Sequence, residues 1–574
     1  MNSSKLDAKV LESSKWWMAA GIFLFVLGAY VVSSPGRIDL IDGQVRFDVA
    51  YNWLTKGRPL LGDPWVAPMR GVWGQDGFAY SYYGAPASLF AMPLIWLGGI
   101  GDLTALERSR FLFSMTSPIF GALISSVLFL FYVELRVPFR QAVAWTMVSS
   151  FATFMWPASN SSFDNAQHAF FSVSAMYFGF LSARHRSRML AMLAGLLAGT
   201  LIVYQPYLFL IIPGLAVSTL TWTTPEVSPG ASSPRFASNV GKFISGPFIV
   251  IRSALHSAGE ARESCIRLLF FLSAISIDLA LYFSYNHLRF GSYLDDGKLR
   301  MQAHSTVSLF GNPLSGFLTL FASPGKSIFL YSPPLILGLL GMRYLWRRSP
   351  SIVLGVFVSS VVLVLFVSCI SFVGGDWCWG PRYLVVVLPL WALGFPFLSQ
   401  DKFRRELRLA VVSLGVVIQL LGLSVEHQRF FFERGFNDFF WAEDSWVYFK
   451  HSALFARVEE TISLRDGPPP TARRFNSLPV PDWATYSALG PPPNMPRRLA
   501  PEWIRNFKIY FLPRPWPLWM LWIKPGLRPI NLQAWILSLV AMMMIGGASI
   551  YRGLRTLNTG TAQNSISNHE LAQV

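Results

Sequence analysis

Residues 16–32 read WWMAAGIFLFVLGAYVV, an apolar run with no charged side chain. Wound as a helix, such a run is about long enough to cross the ~30 Å hydrocarbon layer of a bilayer. Inside lipid every backbone N–H and C=O must bond within its own segment, so a run of this kind is a helix and not a lone strand. The two-residue alternation of a lipid-spanning barrel is absent. Lys5, Lys9 and Lys15 precede the run in the manner of a signal peptide, but no small-residue cleavage site follows and many further runs do. The first run reads as a retained signal anchor.

Working outward, comparable runs lie near 110–133, 141–157, 168–183, 189–204, 206–221, 267–285, 326–344, 351–372, 382–399, 408–425 and 533–552. The expected architecture is an all-α polytopic membrane protein of about twelve transmembrane helices, with a long first external loop bearing juxtamembrane helices. The chain has 574 residues, of which 52% are hydrophobic and only 14% charged, a balance poorer in charge than soluble domains carry. Its formal charge of +17 would suit a nucleic-acid partner, but no zinc-finger spacing or helix-turn-helix context accompanies it, and much of the Lys and Arg sits in turns between the runs. Three cysteines cannot make a disulfide framework; Cys369 and Cys378 fall near one membrane face and read as free thiols or one pair.

Placing the amino terminus inside puts Arg136/Arg140, Arg184/Arg186/Arg188, Arg343/Arg347/Arg348, Lys402/Arg404/Arg405/Arg408 and Arg552/Arg555 in the cytoplasm, as the positive-inside rule requires. Segments 34–109, 158–167, 286–325, 373–381 and 426–532 then face outward. The chain divides into a membrane domain over 1–425 that includes the first external loop 34–109, an external Pro/Trp-rich segment over 426–532, and a last span with a cytoplasmic tail over 533–574. Ser88 to Ile100 is apolar but too short to span and reads as interfacial or re-entrant. The most economical location is a bacterial inner membrane.

The outward segments hold the residues with chemistry. RIDLIDGQVRFD at 37–48 offers Asp39, Asp42 and Asp48, any of which could deprotonate an acceptor hydroxyl within hydrogen-bond reach, and each of which could equally be a helix cap or loop acid. Asp164 and His168 are spaced to share one helix face, where they could meet a phosphate or metal, or Asp164 could simply cap the helix. Lys326 in FASPGKSIFLYSPP and Arg382 in GGDWCWGPRYL stand at the outer ends of two runs, where they could hold a phosphate or snorkel to headgroups.

The order of these pieces, Asp42-Gly43, then AYSYYGAPASLFAMPLIWLG at 79–98, YNHLRFGSYLDDG at 285–297, SPGKSIFLYSPP at 323–334 and GGDWCWGPRYL at 374–384, resembles the GT-C superfamily of membrane glycosyltransferases, of the protein O-mannosyltransferase and aminoarabinose-transferase type. The resemblance implies a GT-C-like fold. It also implies transfer of a sugar from a polyprenyl-phosphate carrier to an acceptor hydroxyl at the non-cytoplasmic face, with inversion. It makes Asp42, then Asp39, the general base, and Lys326 and Arg382 the donor-phosphate ligands. Asp48, Tyr83, Asp164 and His168 would line the cavity. The implied partners are the lipid-linked donor, membrane lipid, and a glycolipid, polysaccharide or protein acceptor; no nucleic acid is implied. No cofactor is certain, and relatives differ over a divalent metal. Tyr82 stands where relatives often carry a basic residue, and the paired acids of some branches are absent. The rival is a transporter or flippase for a lipid-linked or small substrate, for which Asp278 within ISIDLALYF is the main support.

Overall fold

A computed structural model describes residues 3–62, 71–101, 103–220, 258–303, 308–375, 378–400, 405–424, 452–463 and 530–571. Helix α1 (Ser3–Ser33) contains the opening apolar run, and a tight turn at Ser34–Leu40 leads into α2 (Ile41–Lys56). The left-handed Gly57 (φ 69°) ends α2, its N–H bonded to the carbonyl of Trp53, where a side chain would be strained.

The first loop then forms a two-stranded antiparallel hairpin, β1 (Gly71–Trp73) and β2 (Ala79–Ser81), paired Val72 to Tyr80. The hairpin is a local addition to an otherwise helical architecture. Gly77, with φ 76°, makes its turn, and the Asp76 carboxylate accepts from Tyr80 Oη at 2.7 Å and from Phe78 N at 3.2 Å. The apolar stretch expected as interfacial is α3 (Pro86–Gly98), which leaves Trp96 and Leu97 about two-thirds exposed.

Helices α4 (Leu103–Phe113) and α5 (Thr116–Glu134) run almost end to end, followed by α6 (Phe139–Phe151), the short α7 (Met155–Ser159), α8 (Asn165–His185) and α9 (Arg188–Tyr204). Past Gln205 the chain changes to a 3-10 turn (Pro206–Ile211) and α10 (Ile212–Val217), because Pro206 cannot donate the next helical bond. Then come α11 (Ala258–Phe290), α12 (Lys298–Ala303), α13 (Pro313–Phe321), α14 (Ile328–Tyr331), α15 (Leu335–Leu345) and α16 (Pro350–Cys369). A broken segment follows, with a 3-10 turn (Arg382–Val387), α17 (Leu388–Ala392) and a second 3-10 turn (Phe395–Gln400). The remaining described helices are α18 (Arg405–Ser424), α19 (Ala453–Ser463) and α20 (Leu532–Leu571).

All twelve expected runs are helical in whole or in part. Among the described residues, six helices are long and apolar enough to cross a membrane: Ser13–Ser33, Ala105–Glu134, Ala261–Phe290, Pro350–Cys369, Arg405–Ser424 and Leu532–Thr556. The other runs are less apolar, shorter, or divided by Pro and Gly, as at 326–344 and 382–399. Most of the Pro/Trp-rich segment expected at 426–532 lies outside the described residues. The three cysteines are free thiols.

Lipid offers no hydrophobic drive between helices, so close backbone approach through small residues has to hold the bundle. Gly21 of α1 lies against Gly546 and Ser549 of α20, with only 2.9 Å between a would-be Cβ and the Gly546 carbonyl. Gly195 and Gly199 of α9 take the backbone of Phe271 and the side chains of Ala274 and Asp278 on α11.

The same device seats the first loop. A Cβ on Gly84 would overlap the carbonyl of Val203 at the end of α9, and the neighbouring carbonyls of Ser81 and Tyr83 accept from the buried Arg289 of α11, the latter at 3.1 Å. The obstruction is backbone, which cannot swing aside. Gly84→Ala should therefore destabilise the fold by at least about 1–3 kcal/mol and lift the Tyr82–Tyr83 segment off the bundle. Thermal unfolding in detergent checks this against Gly547→Ala, where a Cβ meets nothing within 4 Å and no loss is expected.

Candidate active site

Every residue of the Asp39–Asp48 stretch except Ile41 is buried. Asp42 and Arg46 lie one turn apart on α2 and therefore share a face, which meets Asp164 and Arg382. The helix can lie flush against the 160–164 turn because Gly43 has no side chain; a Cβ there would overlap Ser162. Asp42 falls in the first turn of α2, where the helix dipole favours a carboxylate.

Four charged side chains meet at this contact. Arg46, 3% exposed, donates through Nη2 to Asp164 Oδ2 at 2.8 Å, and its guanidinium lies 4.5 Å over the ring of Tyr83. The Asp42 carboxylate is 3.7 Å from Arg382 Nη1, and the Arg382 guanidinium lies 4.0 Å over the ring of Phe163. His168 Nε2 is 3.3 Å from Asp164 Oδ2, its ring edge-on to Tyr204 at 4.9 Å. Burial alone would raise the Asp164 pKa, but Arg46 and then His168 overcome it and hold the carboxyl well below the usual range. Burial likewise opposes the charge on Arg46, and Asp164 followed by Asp42 reverses the effect and raises its pKa. Asp164 and Arg46 are thus held ionised together in a buried recess.

The balance is incomplete in hydrogen bonds. Arg46 has five N–H donors, and its Nε and Nη1 have no partner among the described residues. An acceptor reaching them would relieve a cost of ~1–3 kcal/mol or more for a charged group. A phosphate, with several anionic oxygens, matches a pair of guanidinium forks.

The other three expected site residues, Asp39, Asp48 and Lys326, brace the chain around the recess. Asp39 is 1% exposed and is clamped across the chain: its Oδ1 accepts from Ser162 N at 2.7 Å and its Oδ2 from Ser161 Oγ at 3.1 Å. Burial pushes its carboxyl up against the pull of those bonds. Asp48 accepts from Asn52 Nδ2 at 3.0 Å and Gly62 N at 2.8 Å, pinning the end of α2 to the following loop. Lys326 donates to the carbonyls of Cys378 at 2.8 Å and Gly380 at 3.4 Å, bracing the turn that delivers Arg382. Asp164 does occupy the N-cap position of α8, but its carboxylate makes no capping bond and is turned to Arg46 instead. Asp42, Tyr83, Asp164, His168 and Arg382 are the expected residues that gather at the recess.

Sequence reasoning passed over Arg46, whose position four residues after Asp42 was the available signal, and Arg289, which lies inside the quoted YNHLRFG. It also passed over the polar rim behind His168. There Tyr204 Oη donates to Gln167 Oε1 at 2.6 Å and Lys298 Nζ to Gln205 Oε1 at 3.0 Å. Among the described residues no three His, Cys, Asp or Glu side chains converge as a metal site would need.

The recess lies at the end of α5 and α8 opposite the arginine-rich turns: Asp164 begins α8, while Arg184 near its other end pairs with Glu134, 3.0 Å away. Together fold and recess define a polytopic helical membrane protein with a buried acid–guanidinium site at one membrane face.

Solved structures similar to this chain include ArnT from Cupriavidus metallidurans bound to undecaprenyl phosphate, at 11% identity over 81% of this chain and 80% of that one, with a TM-score of 0.42. The oligosaccharyltransferase of Archaeoglobus fulgidus in complex with Zn and sulfate matches at 14% identity and a TM-score of 0.37, covering 85% of this chain and 58% of that one. The archaeal oligosaccharyltransferase AglB from Archaeoglobus fulgidus, in complex with an inhibitory peptide and a dolichol-phosphate, matches at 12% and 0.37, over 80% and 59%. No protein-family model and no curated protein sequence matches the chain.

Proposed function

We propose that this protein is a membrane glycosyltransferase of the GT-C type, moving a sugar from a polyprenyl-phosphate carrier to an acceptor hydroxyl at the non-cytoplasmic face. The observation that carries the reading is the Asp42 carboxylate 3.7 Å from the Arg382 guanidinium, beside an Arg46 with two unmet donors. Displacement at an anomeric carbon needs both features: a base for the attacking hydroxyl and positive charge for the departing phosphate.

In this mechanism the acceptor oxygen attacks the anomeric carbon from the Asp42 side, and its proton passes to the Asp42 carboxylate. The bond from that carbon to the phosphate oxygen breaks on the opposite face, and its electron pair leaves with polyprenyl phosphate. The anomeric centre inverts. Arg382 and Arg46 hold the phosphate oxygens and take up the charge developing there, in a recess where few waters dilute the interaction. Lys326 acts on the same phosphate through the turn it braces. Asp164 keeps Arg46 extended and ionised, and Tyr83 lines the wall beside it. No step calls on a metal; a divalent requirement is a separate question for titration. A bacterial inner membrane is the proposed location, with the Arg-rich turns in the cytoplasm.

The test is transfer of labelled sugar in proteoliposomes from a series of polyprenyl-phosphate sugars, with release of free polyprenyl phosphate measured in parallel. Stoichiometric release of carrier and labelling of an acceptor are expected. Movement of the intact labelled lipid between leaflets, with no carrier released, would refute the enzyme reading and establish a flippase.

A further inference from the structure

At the opposite, arginine-rich end of the bundle there is a cavity of about 350 Å³ lined by Lys15, Val133, Glu134, Arg136, Pro138 and Phe139. It lies where α1 meets the turn between α5 and α6. Glu134, its one acid, is already matched by two cations: Lys15 Nζ is 3.1 Å from Oε1, and Arg184 Nη1 is 3.0 Å from Oε2. Arg136 is exposed and makes no ion pair among the described residues. Arg136 therefore brings to the cavity a positive charge that Glu134 does not meet.

The backbone at Arg136 adds a second, independent observation. Val137 N bonds the carbonyl of Tyr132, and Arg136 N that of Val133, both at 2.9 Å. This is the Schellman ending of α5, and Arg136 occupies its left-handed position with φ 60°. Glycine is the unstrained choice there; a side chain costs ~1 kcal/mol or more. The end of α8 repeats the choice, with Arg186 at φ 53° and Ser187 N bonded to the carbonyl of Ser182. Two neighbouring helix ends thus accept strain to place an arginine where glycine would be relaxed.

The surroundings say which anion fits. Trp16 and Trp17, next to Lys15, are 52% and 67% exposed, and such aromatic rings settle at the headgroup level of a bilayer. Phe139 and Val133, both partly buried against the core, supply the cavity's apolar wall. We infer that this cavity binds the phosphate of an anionic phospholipid of the cytoplasmic leaflet, with Arg136 and Lys15 as its ligands and the acyl chains lying beside α1. The site is independent of the reading of the outer recess and involves none of its residues.

The full-length protein, delipidated in detergent and re-exposed to phosphatidylglycerol or to phosphatidylcholine, tests the site by native mass spectrometry and thermal unfolding. Wild type should retain one phosphatidylglycerol and unfold at higher temperature with it, and should show neither effect with phosphatidylcholine. Arg136→Gly removes the cation and the strain together. It should fold at least as stably as wild type without lipid, yet retain phosphatidylglycerol about fivefold less or worse. Arg347→Gln, at a different inner turn, should behave as wild type. Equal retention by Arg136→Gly would overturn the proposal. So would stabilisation by inorganic phosphate equal to that by phosphatidylglycerol, which would make the ligand a soluble anion.

Discussion

Asp42→Asn should lower the rate of sugar transfer by about 10²–10⁴-fold, the usual contribution of a positioned general base, in a protein that still folds and binds its donor but unfolds more easily, because Arg382 loses the carboxylate 3.7 Å from its Nη1. The amide keeps the size of the carboxylate and cannot accept the acceptor's proton. The loss should appear in kcat with little change in the KM for donor, because phosphate binding is assigned to Arg382 and Arg46. Asp39→Asn is the informative partner. Its carboxylate is spent on Ser162 N and Ser161 Oγ, so the variant should lose ~1–3 kcal/mol of stability and retain its chemistry once folded. Transfer rates and unfolding temperatures measured on both variants separate the roles. An Asp42→Asn protein with near-normal kcat, beside a well-folded and inactive Asp39→Asn, would move the base to Asp39.

That pairing shows what the sequence could carry. The spans were legible because an apolar run long enough to cross lipid has few other uses, and the end that bears the arginines followed from counting turns. Asp42 was legible as a first-loop acid near the membrane surface, but in an Asp-Gly turn; the structure puts it in the first turn of α2 instead. The distinction between Asp39 and Asp42 was not, because it depends on Ser161 and Ser162, more than a hundred residues away along the chain, arriving beside one carboxylate and not the other. Asp164 shows the same limit in reverse: its place at the head of α8 was read correctly, but what its carboxylate does there depends on α2 lying across that turn. Gly43 and Gly84 decide that α2 and the first loop can lie so close, and a lone glycine in a sequence does not say which backbone will approach it. The hairpin at 71–81 was missed for a simpler reason: three-residue strands offer too little alternation to stand out in an aromatic-rich loop.

The Arg46–Asp164 pair gives the other large effect, and one in which folding and chemistry separate. Removing one member of a buried ion pair leaves the other charged and unpaired, at a cost of ~3–5 kcal/mol. Arg46→Met should therefore be severely destabilised, since Asp164 would keep only His168 and the more distant Arg382 to offset its charge. Asp164→Asn should be destabilised by a similar amount, with the Arg46 charge left over. In the double variant Arg46→Met/Asp164→Asn no buried charge is stranded, so most of that stability should return, and a double-mutant cycle on unfolding free energies should show strong coupling. Activity should not return with it, because the refolded recess lacks the guanidinium whose free Nε and Nη1 are assigned to the donor phosphate. The pH dependence follows from the same pair. A carboxyl held below its unfolded-state pKa stabilises the fold above that pKa, and the contribution disappears only as pH falls through the lowered folded value. Wild type should thus keep the Asp164 contribution across neutral and mildly acidic pH and lose it in strong acid, and the double variant should lack that acid-dependent loss. Recovery of both stability and transfer in the double variant would make Arg46 a structural strut, and leave the phosphate to Arg382 and the turn that Lys326 braces.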